Sequence, residues 1–264
     1  LMTDPYRIYA QHILGLPEWD RVAAPSSAAH RGTLLHHVFE RFTKRYHDQL
    51  PENAHQALLD IAYDIGGSEG QLNEGLILWR ARLDALAGWL SAWEVNRRLS
   101  LTHISSEIKG EIKRDIAGKA FTISAKADRI DGLTDGSFEI LDYKTGAIPS
   151  GSDIKSFFSV QLILAAAIMR VGGFENLSKG RVKAINYIKL SGGVPPGEFM
   201  TMPIDDAFID EGLCVVERLL NAYADERVGY LSRLRQKRIH YETSYDHLAR
   251  FAEWGAYDDQ GDGA

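Results

Sequence analysis

One cysteine, Cys214, stands in 264 residues. That scarcity excludes a disulfide framework within the chain and any zinc or iron–sulfur site made of cysteine alone, and a reducing, cytoplasmic setting is the expectation. No uninterrupted apolar stretch is long enough to span a bilayer, and the opening residues, LMTDPYRIYA, lack the basic-then-apolar pattern of an export signal. That opening reads as the start of a fragment cut from a larger protein. Positive charge is also short. Thirty Lys and Arg against 36 Asp and Glu give a formal charge of −6, which argues against a protein that coats nucleic acid by charge alone. There is no Walker loop or dinucleotide fingerprint, so an ATP motor in this stretch is not expected. No internal repeat appears, and the only biased segment is the acidic, glycine-containing tail at 258–264, expected to be disordered. The remainder, 45% hydrophobic and 25% charged, is ordinary for a globular protein.

The informative stretch is Phe121 to Gly146, FTISAKADRIDGLTDGSFEILDYKTG. Phe121 to Ile130 is strand-like, Gly132 to Ser137 has turn chemistry, and Phe138 to Tyr143 is a second aliphatic and aromatic run. Side chains two apart on a strand share a face, so Asp142 and Lys144 point one way, with Leu141 and Tyr143 on the other side. Pairing across the turn lets Asp128 approach Asp142. Two carboxylates that close repel unless a positive charge lies between them. Oxygen ligands suit a hard cation such as Mg²⁺ or Mn²⁺, and an adjacent lysine can orient an attacking water or steady a developing anion.

Along the chain, Asp4-Pro5 followed by YRIYAQHILGL reads as a helix start with Asp4 as N-cap. Ser27 to Tyr46 is a stronger helix, with an apolar stripe at Leu34, Leu35, Val38, Phe39 and Phe42. On it His36 and Glu40 lie one turn apart on one face. Helices are expected at 53–65 and about 70–98, the second with a stripe of leucines and tryptophans read as core. A strand from Ile104 to about Ile112 carries Glu107. Asp153 to Val171 reads as one helix containing Gln161, and Val182 to Leu190 as a strand ended by the loop SGGVPPGE. A helix from about Asp205 to Ala224 follows, then the basic run Arg233 to Arg238, and a short helix in TSYDHLARFAEW. Asp131 is expected to turn or cap the chain. Lys144-Thr-Gly and Ser152-x-x-Lys155 mimic two serine β-lactamase motifs, but in the reverse order and without the third element.

Taken together, Gly32-x-x-x-His36, Asp128-Arg-Ile-Asp131, Ile140-Leu-Asp-Tyr-Lys-Thr-Gly146 and Gln161-Leu162 resemble the RecB-type nuclease domain of bacterial recombination exonucleases. RGTLLHHVFERF, AKADRIDG, ILDYKTG, VQLILAAAIMRVGGF, YIKLSGGVPPGE and YDHLARFAEW look closer still to the C-terminal nuclease domain of the AddB family of double-strand break repair proteins, in its alphaproteobacterial form. The resemblance runs over nearly the whole chain. It implies an α/β (α+β) fold with a PD-(D/E)xK, restriction-endonuclease-like core: a small mixed sheet flanked by helices, with an N-terminal helical portion. Residues 1–100 would be that helical portion, including the His36 helix. Residues 101–257 would hold the nuclease core and C-terminal helices and form one structural unit with it.

The site residues follow from the same resemblance. His36, Asp128, Asp142 and the backbone carbonyl of Tyr143 would bind one or two Mg²⁺ ions, or Mn²⁺. Asp128, Asp142, Lys144 and Gln161 would carry the chemistry, with Glu40 and Glu107 in support. Arg41, Lys44 and Arg45, on the His36 helix, are placed to meet DNA, and the Arg233 to Arg238 run reads as a solvated face. The implied activity is phosphodiester hydrolysis on single strands fed from a helicase, cutting the 5′-ended strand while an AddA-like helicase–nuclease partner cuts the other. The rest of an AddB-type parent chain would be a further partner. Three departures stand out: no cysteines for the iron–sulfur cluster that many relatives carry, Ala165 where many have a tyrosine after the glutamine, and Ala125 where a glycine is common. The alternative is a catalytically silent nuclease fold that channels DNA or docks a partner; intact Asp128, Asp142 and Lys144 weigh against it.

Overall fold

The structure, a computed structural model, describes residues 1–17, 28–68, 74–234, 245–250 and 253. It divides into two compact units, one of Leu1–Ala24, Ile116–Gly118 and Val216–Ala264, the other of Pro25–Asp115 and Lys119–Val215.

In the first unit, α1 (Pro5–Ile8) begins on Pro5 as expected and runs into a π-helical turn, Tyr9–Ile13. The expected N-cap role of Asp4 is not made. Its side chain caps nothing in α1 and accepts instead from the Arg233 main-chain N–H at 3.2 Å. Arg233 pairs with Asp246 at 2.5 Å, and the Tyr245 hydroxyl donates to the Leu16 carbonyl at 2.7 Å. Tyr9 stacks on Tyr230 with centroids 5.6 Å apart, and Tyr223 packs on Tyr230 at a tilt with centroids 5.0 Å apart. Residues 245–250 form a turn, with Ala249 N–H donating to the Tyr245 carbonyl at 2.9 Å. A short helix is expected over 243–254, and its residues 245–250 are this turn instead; residues 243–244, 251–252 and 254, residues 235–238 of the basic run and the tail at 258–264 lie outside the described residues.

The second unit holds the sheet. Three helices precede it: α2 (Ala28–Arg45), α3 (Ala54–Ser68) and α4 (Glu74–Arg98). The α2 stripe is buried as its spacing predicts, against Leu58 and Ile61 of α3 and Leu86 and Leu90 of α4. Five strands follow, β1 (Leu101–Ile116), β2 (Lys119–Leu133), β3 (Phe138–Lys144), β4 (Val182–Leu190) and β5 (Gly197–Pro203), lying in that order across one sheet. The hairpin of β2 and β3 is antiparallel, β3 and β4 are parallel, and β4 and β5 are antiparallel. The sheet is therefore mixed, and helices flank it. A parallel pair needs a crossover, and α5 (Gly151–Lys155) with α6 (Gln161–Val171) supplies it. Helix α7 (Asp206–Tyr223) closes the series. Among the described residues there are thus seven α-helices and one five-stranded sheet.

Two local expectations are corrected. Residues 153–171 are two helices, because Phe157 adopts a left-handed φ of 57° and turns its ring inward to pack on Phe208, with centroids 5.0 Å apart. The segment after SGGVPP is a fifth strand. Gly197 starts it under the Trp89 indole, where a Cβ would collide.

Candidate functional site

The register of β2 on β3 pairs Arg129 with Leu141. One step outward, Asp128 therefore stands opposite Asp142, on the face away from Leu141 and Tyr143. There the ladder ends in a side chain: the Tyr143 main-chain N–H donates to Asp128 Oδ2 at 3.0 Å. His36 Nδ1 on α2 lies 3.7 Å from the same oxygen. Gln161, the first residue of α6, donates from Nε2 to Asp142 Oδ1 at 3.3 Å. Lys144 Nζ lies 2.7 Å from Asp142 Oδ2, a buried oxygen whose one close partner among the described residues is that ammonium. Asp142 is 2% exposed. Burial pushes its carboxyl above the ordinary range, Asp128 adds to that, and Lys144 and His36 oppose it.

Packing explains the placement. Tyr143 stacks on Phe39 of α2, centroids 5.5 Å apart, and meets the His36 ring edge-on at 6.3 Å. One turn before His36, Gly32 lies so near β3 that a Cβ would come within 2.7 Å of Thr145 Oγ1. The glycine lets the helix reach the end of the strand that carries Asp142 and Lys144.

The structure thus brings His36, Asp128, Asp142, Tyr143, Lys144 and Gln161 together. Glu40 and Glu107 form a neighbouring cluster instead. Glu107 pairs with Lys126 of β2, and Glu40 pairs with Lys44 at 2.6 Å. Burial pushes the Glu40 carboxyl up, but Lys44, Lys126 and His37 bring it below its ordinary value. Lys44 thus shares the His36 face. Arg41 and Arg45 turn toward α3: Arg41 pairs with Asp64, both line a cleft of about 470 Å³ with Asp60 and Gln56, and Arg45 lies over the Tyr46 ring.

Behind the two acids lies a buried charge network that the sequence reading missed. Arg129, fully buried, pairs with Glu94 of α4 and with Asp131 at 2.6 Å, and its guanidinium sits 5.3 Å from the Trp93 ring centroid. Arg97 bridges Asp131 at 2.8 Å and Glu139 at 2.7 Å, and Asn186 donates to Glu139 at 2.9 Å. Asp131 is therefore neither turn nor cap but a buried partner of two arginines. Alternation from Asp128 already places Arg129 and Asp131 on the opposite face; their partners on α4 leave no sequence signal. Tyr187 is also new. It stands beside Asp142 across β3 and β4, with its hydroxyl 3.4 Å from Ser159 Oγ.

Among the described residues no three His, Cys, Asp or Glu side chains close tightly enough to hold a metal ion unaided. The donor chemistry nonetheless fits a divalent cation: two carboxylates, an imidazole and a main-chain carbonyl at one strand end, with Asp142 Oδ2 buried and met by the Lys144 ammonium.

Residues 1–246 match the PD-(D/E)XK nuclease superfamily. An uncharacterized protein of Rickettsia bellii is 33% identical over 175 residues, 66% of this chain and 21% of that protein. An ATP-dependent helicase/deoxyribonuclease subunit of Streptococcus uberis is 26% identical over 266 residues, 96% of this chain and 21% of that one. Its counterpart in Streptococcus agalactiae serotype Ia is 28% identical over 163 residues, 60% of this chain and 14% of that protein. The chain thus spans about a fifth or less of the length of these relatives. The match over residues 1–246, covering the acids and lysine on β2 and β3, the histidine on α2 and the glutamine on α6, places the chain in the PD-(D/E)XK nuclease superfamily.

Proposed function

We propose that this chain is a divalent-metal-dependent deoxyribonuclease domain that hydrolyses phosphodiesters of single-stranded DNA. It would act in helicase-coupled processing of double-strand breaks for homologous recombination, in the cytoplasm. Its partners would be an AddA-like helicase–nuclease and the remainder of an AddB-type parent chain. The carrying observation is the convergence of His36, Asp128, Asp142 and Lys144 at the open end of β2 and β3. Relatives named as subunits of an ATP-dependent helicase/deoxyribonuclease support the cellular setting.

Asp128, Asp142, His36 and the Tyr143 carbonyl would hold Mg²⁺ or Mn²⁺, which supplies Lewis-acid activation of water and of the phosphate. Lys144 places its ammonium beside Asp142, where it orients the attacking water or offsets charge growing on the phosphate oxygens. Gln161 holds the other Asp142 oxygen and so fixes the carboxylate plane. Water oxygen bonds to phosphorus as the bond to the leaving sugar oxygen breaks. Lys44 would steer the strand along α2, with Arg41 and Arg45, turned toward α3, contributing less.

The test is cleavage of end-labelled single-stranded DNA with Mg²⁺, Mn²⁺ or EDTA. Metal-dependent cutting is expected. Cutting that persists unchanged in EDTA rules out the metal-dependent reading.

A further inference from the structure

Strand β4 repeats beside the site what β3 carries within it. The parallel register sets Tyr187 against Asp142 and Lys189 against Lys144. In-register neighbours in a sheet stand about 4.8 Å apart with side chains on a common face. Ile188 and Leu190 pack with Leu141 and Tyr143 in the helical core. Tyr187 and Lys189 therefore face the other way, on the side of Asp142 and Lys144. Tyr187 is buried and anchored toward Ser159, whereas the Lys189 side chain is 34% exposed. It pairs with Glu198, in register on β5, at a loose 3.4 Å.

Two ammonium groups thus end the face that carries both acids, one on each of two adjacent strands. Like charges set side by side on a sheet repel. Lys144 pairs with Asp142 and Lys189 with Glu198, so each ammonium is held on this face by one carboxylate. A phosphodiester matches this pair of lysines in charge, since each offers up to three donors and a phosphate offers unesterified acceptor oxygens.

We propose that Lys189 is a phosphate-binding residue of this site, gripping the phosphodiester next to the one that is cut. The inference rests on the single-strand reading above. Lys189 holds the strand equally before and during the reaction, so its energy enters binding rather than the chemical step. Glu198 competes with the phosphate for it.

The experiment measures binding and cleavage of a labelled oligothymidylate across a range of salt by the wild-type chain and by Lys189→Gln, Glu198→Gln and Lys183→Gln. Lys183 is the control, an exposed lysine at the other end of β4 paired with Asp135 at 3.2 Å. Lys189→Gln should weaken binding about tenfold, flatten the log–log salt slope by about 0.7 and raise KM while kcat stays within about twofold. Glu198→Gln should tighten binding, and Lys183→Gln should match wild type. Wild-type binding with Lys189→Gln indistinguishable from Lys183→Gln overturns the role of Lys189 alone. A wild-type chain that neither binds nor cuts the oligonucleotide overturns the single-strand reading, and this inference with it.

Discussion

The Tyr143 main-chain N–H donates to Asp128 Oδ2 at 3.0 Å, so a side chain takes over where the ladder of β2 and β3 ends. One carboxylate is thereby tied to the backbone of the strand that carries the other. The acids are held close despite their repulsion, and the phenol and guanidinium of Tyr143 and Arg129 secure the opposite face of the same two strands. Burial raises the Tyr143 phenol above its ordinary value while neighbouring Arg129 pulls it down.

Arg129 is the centre of that rear network. Arg129→Met leaves Glu94 and Asp131 buried without their shared cation, and breaking a buried pair costs about 3–5 kcal/mol. Urea unfolding should show a loss of that size. A loss under about 1 kcal/mol would contradict the paired geometry.

Glu94 makes acid stability a second readout. Burial pushes its carboxyl up, but Arg129 and Arg98 overcome this and hold it below the ordinary 4.5. A carboxyl lowered on folding contributes stability that is complete above its unfolded value and is lost as pH falls through its folded one. Unfolding midpoints followed from about pH 6 to about pH 3 should drop more steeply for wild type than for Glu94→Gln. Parallel curves would mean that Glu94 is not held ionised.

Much of the site was legible from local pattern. Alternation and a turn at Gly132 to Ser137 suffice to place Asp128, Asp142 and Lys144, because hairpin partners are close in sequence. The apolar stripe of α2 likewise fixes which side of that helix is buried and leaves His36 near its border. The break between α5 and α6 was not legible, since SDIKSFFSVQLILAAA has helical periodicity throughout and the left-handed turn at Phe157 is dictated by its packing on Phe208. β5 was hidden by the glycines and prolines before it. The Glu94 to Arg129 pair spans two elements 35 residues apart, where no local rule reaches.

Gly32 tests the approach of α2 to β3. A Cβ there meets Thr145 Oγ1 at 2.7 Å. Gly32→Ala should reduce cleavage and cost about 1 kcal/mol, the low end for overpacking, because a threonine rotamer change relieves part of the clash. Adding Thr145→Ala should restore much of the lost activity. If the double variant is as impaired as the single one, the contact is not the cause.

Lys44 is the helix cation on the His36 and Glu40 face, whereas Arg41 is engaged with Asp64. Lys44→Glu should flatten the salt dependence of single-strand binding by at least the roughly 0.7 expected for one lost phosphate contact. Arg41→Glu should do less. Equal effects of the two would place the strand across α2 differently.

The most direct measurement is metal-dependent cleavage of end-labelled single-stranded DNA by Asp142→Ala beside wild type, with thermal unfolding of both. Asp142 is buried and touches Lys144 through one oxygen and Gln161 through the other. Cutting by wild type, its loss in the variant and a variant that still unfolds cooperatively are the predicted result. Undiminished Mg²⁺-dependent cutting by Asp142→Ala would contradict the assignment of the site.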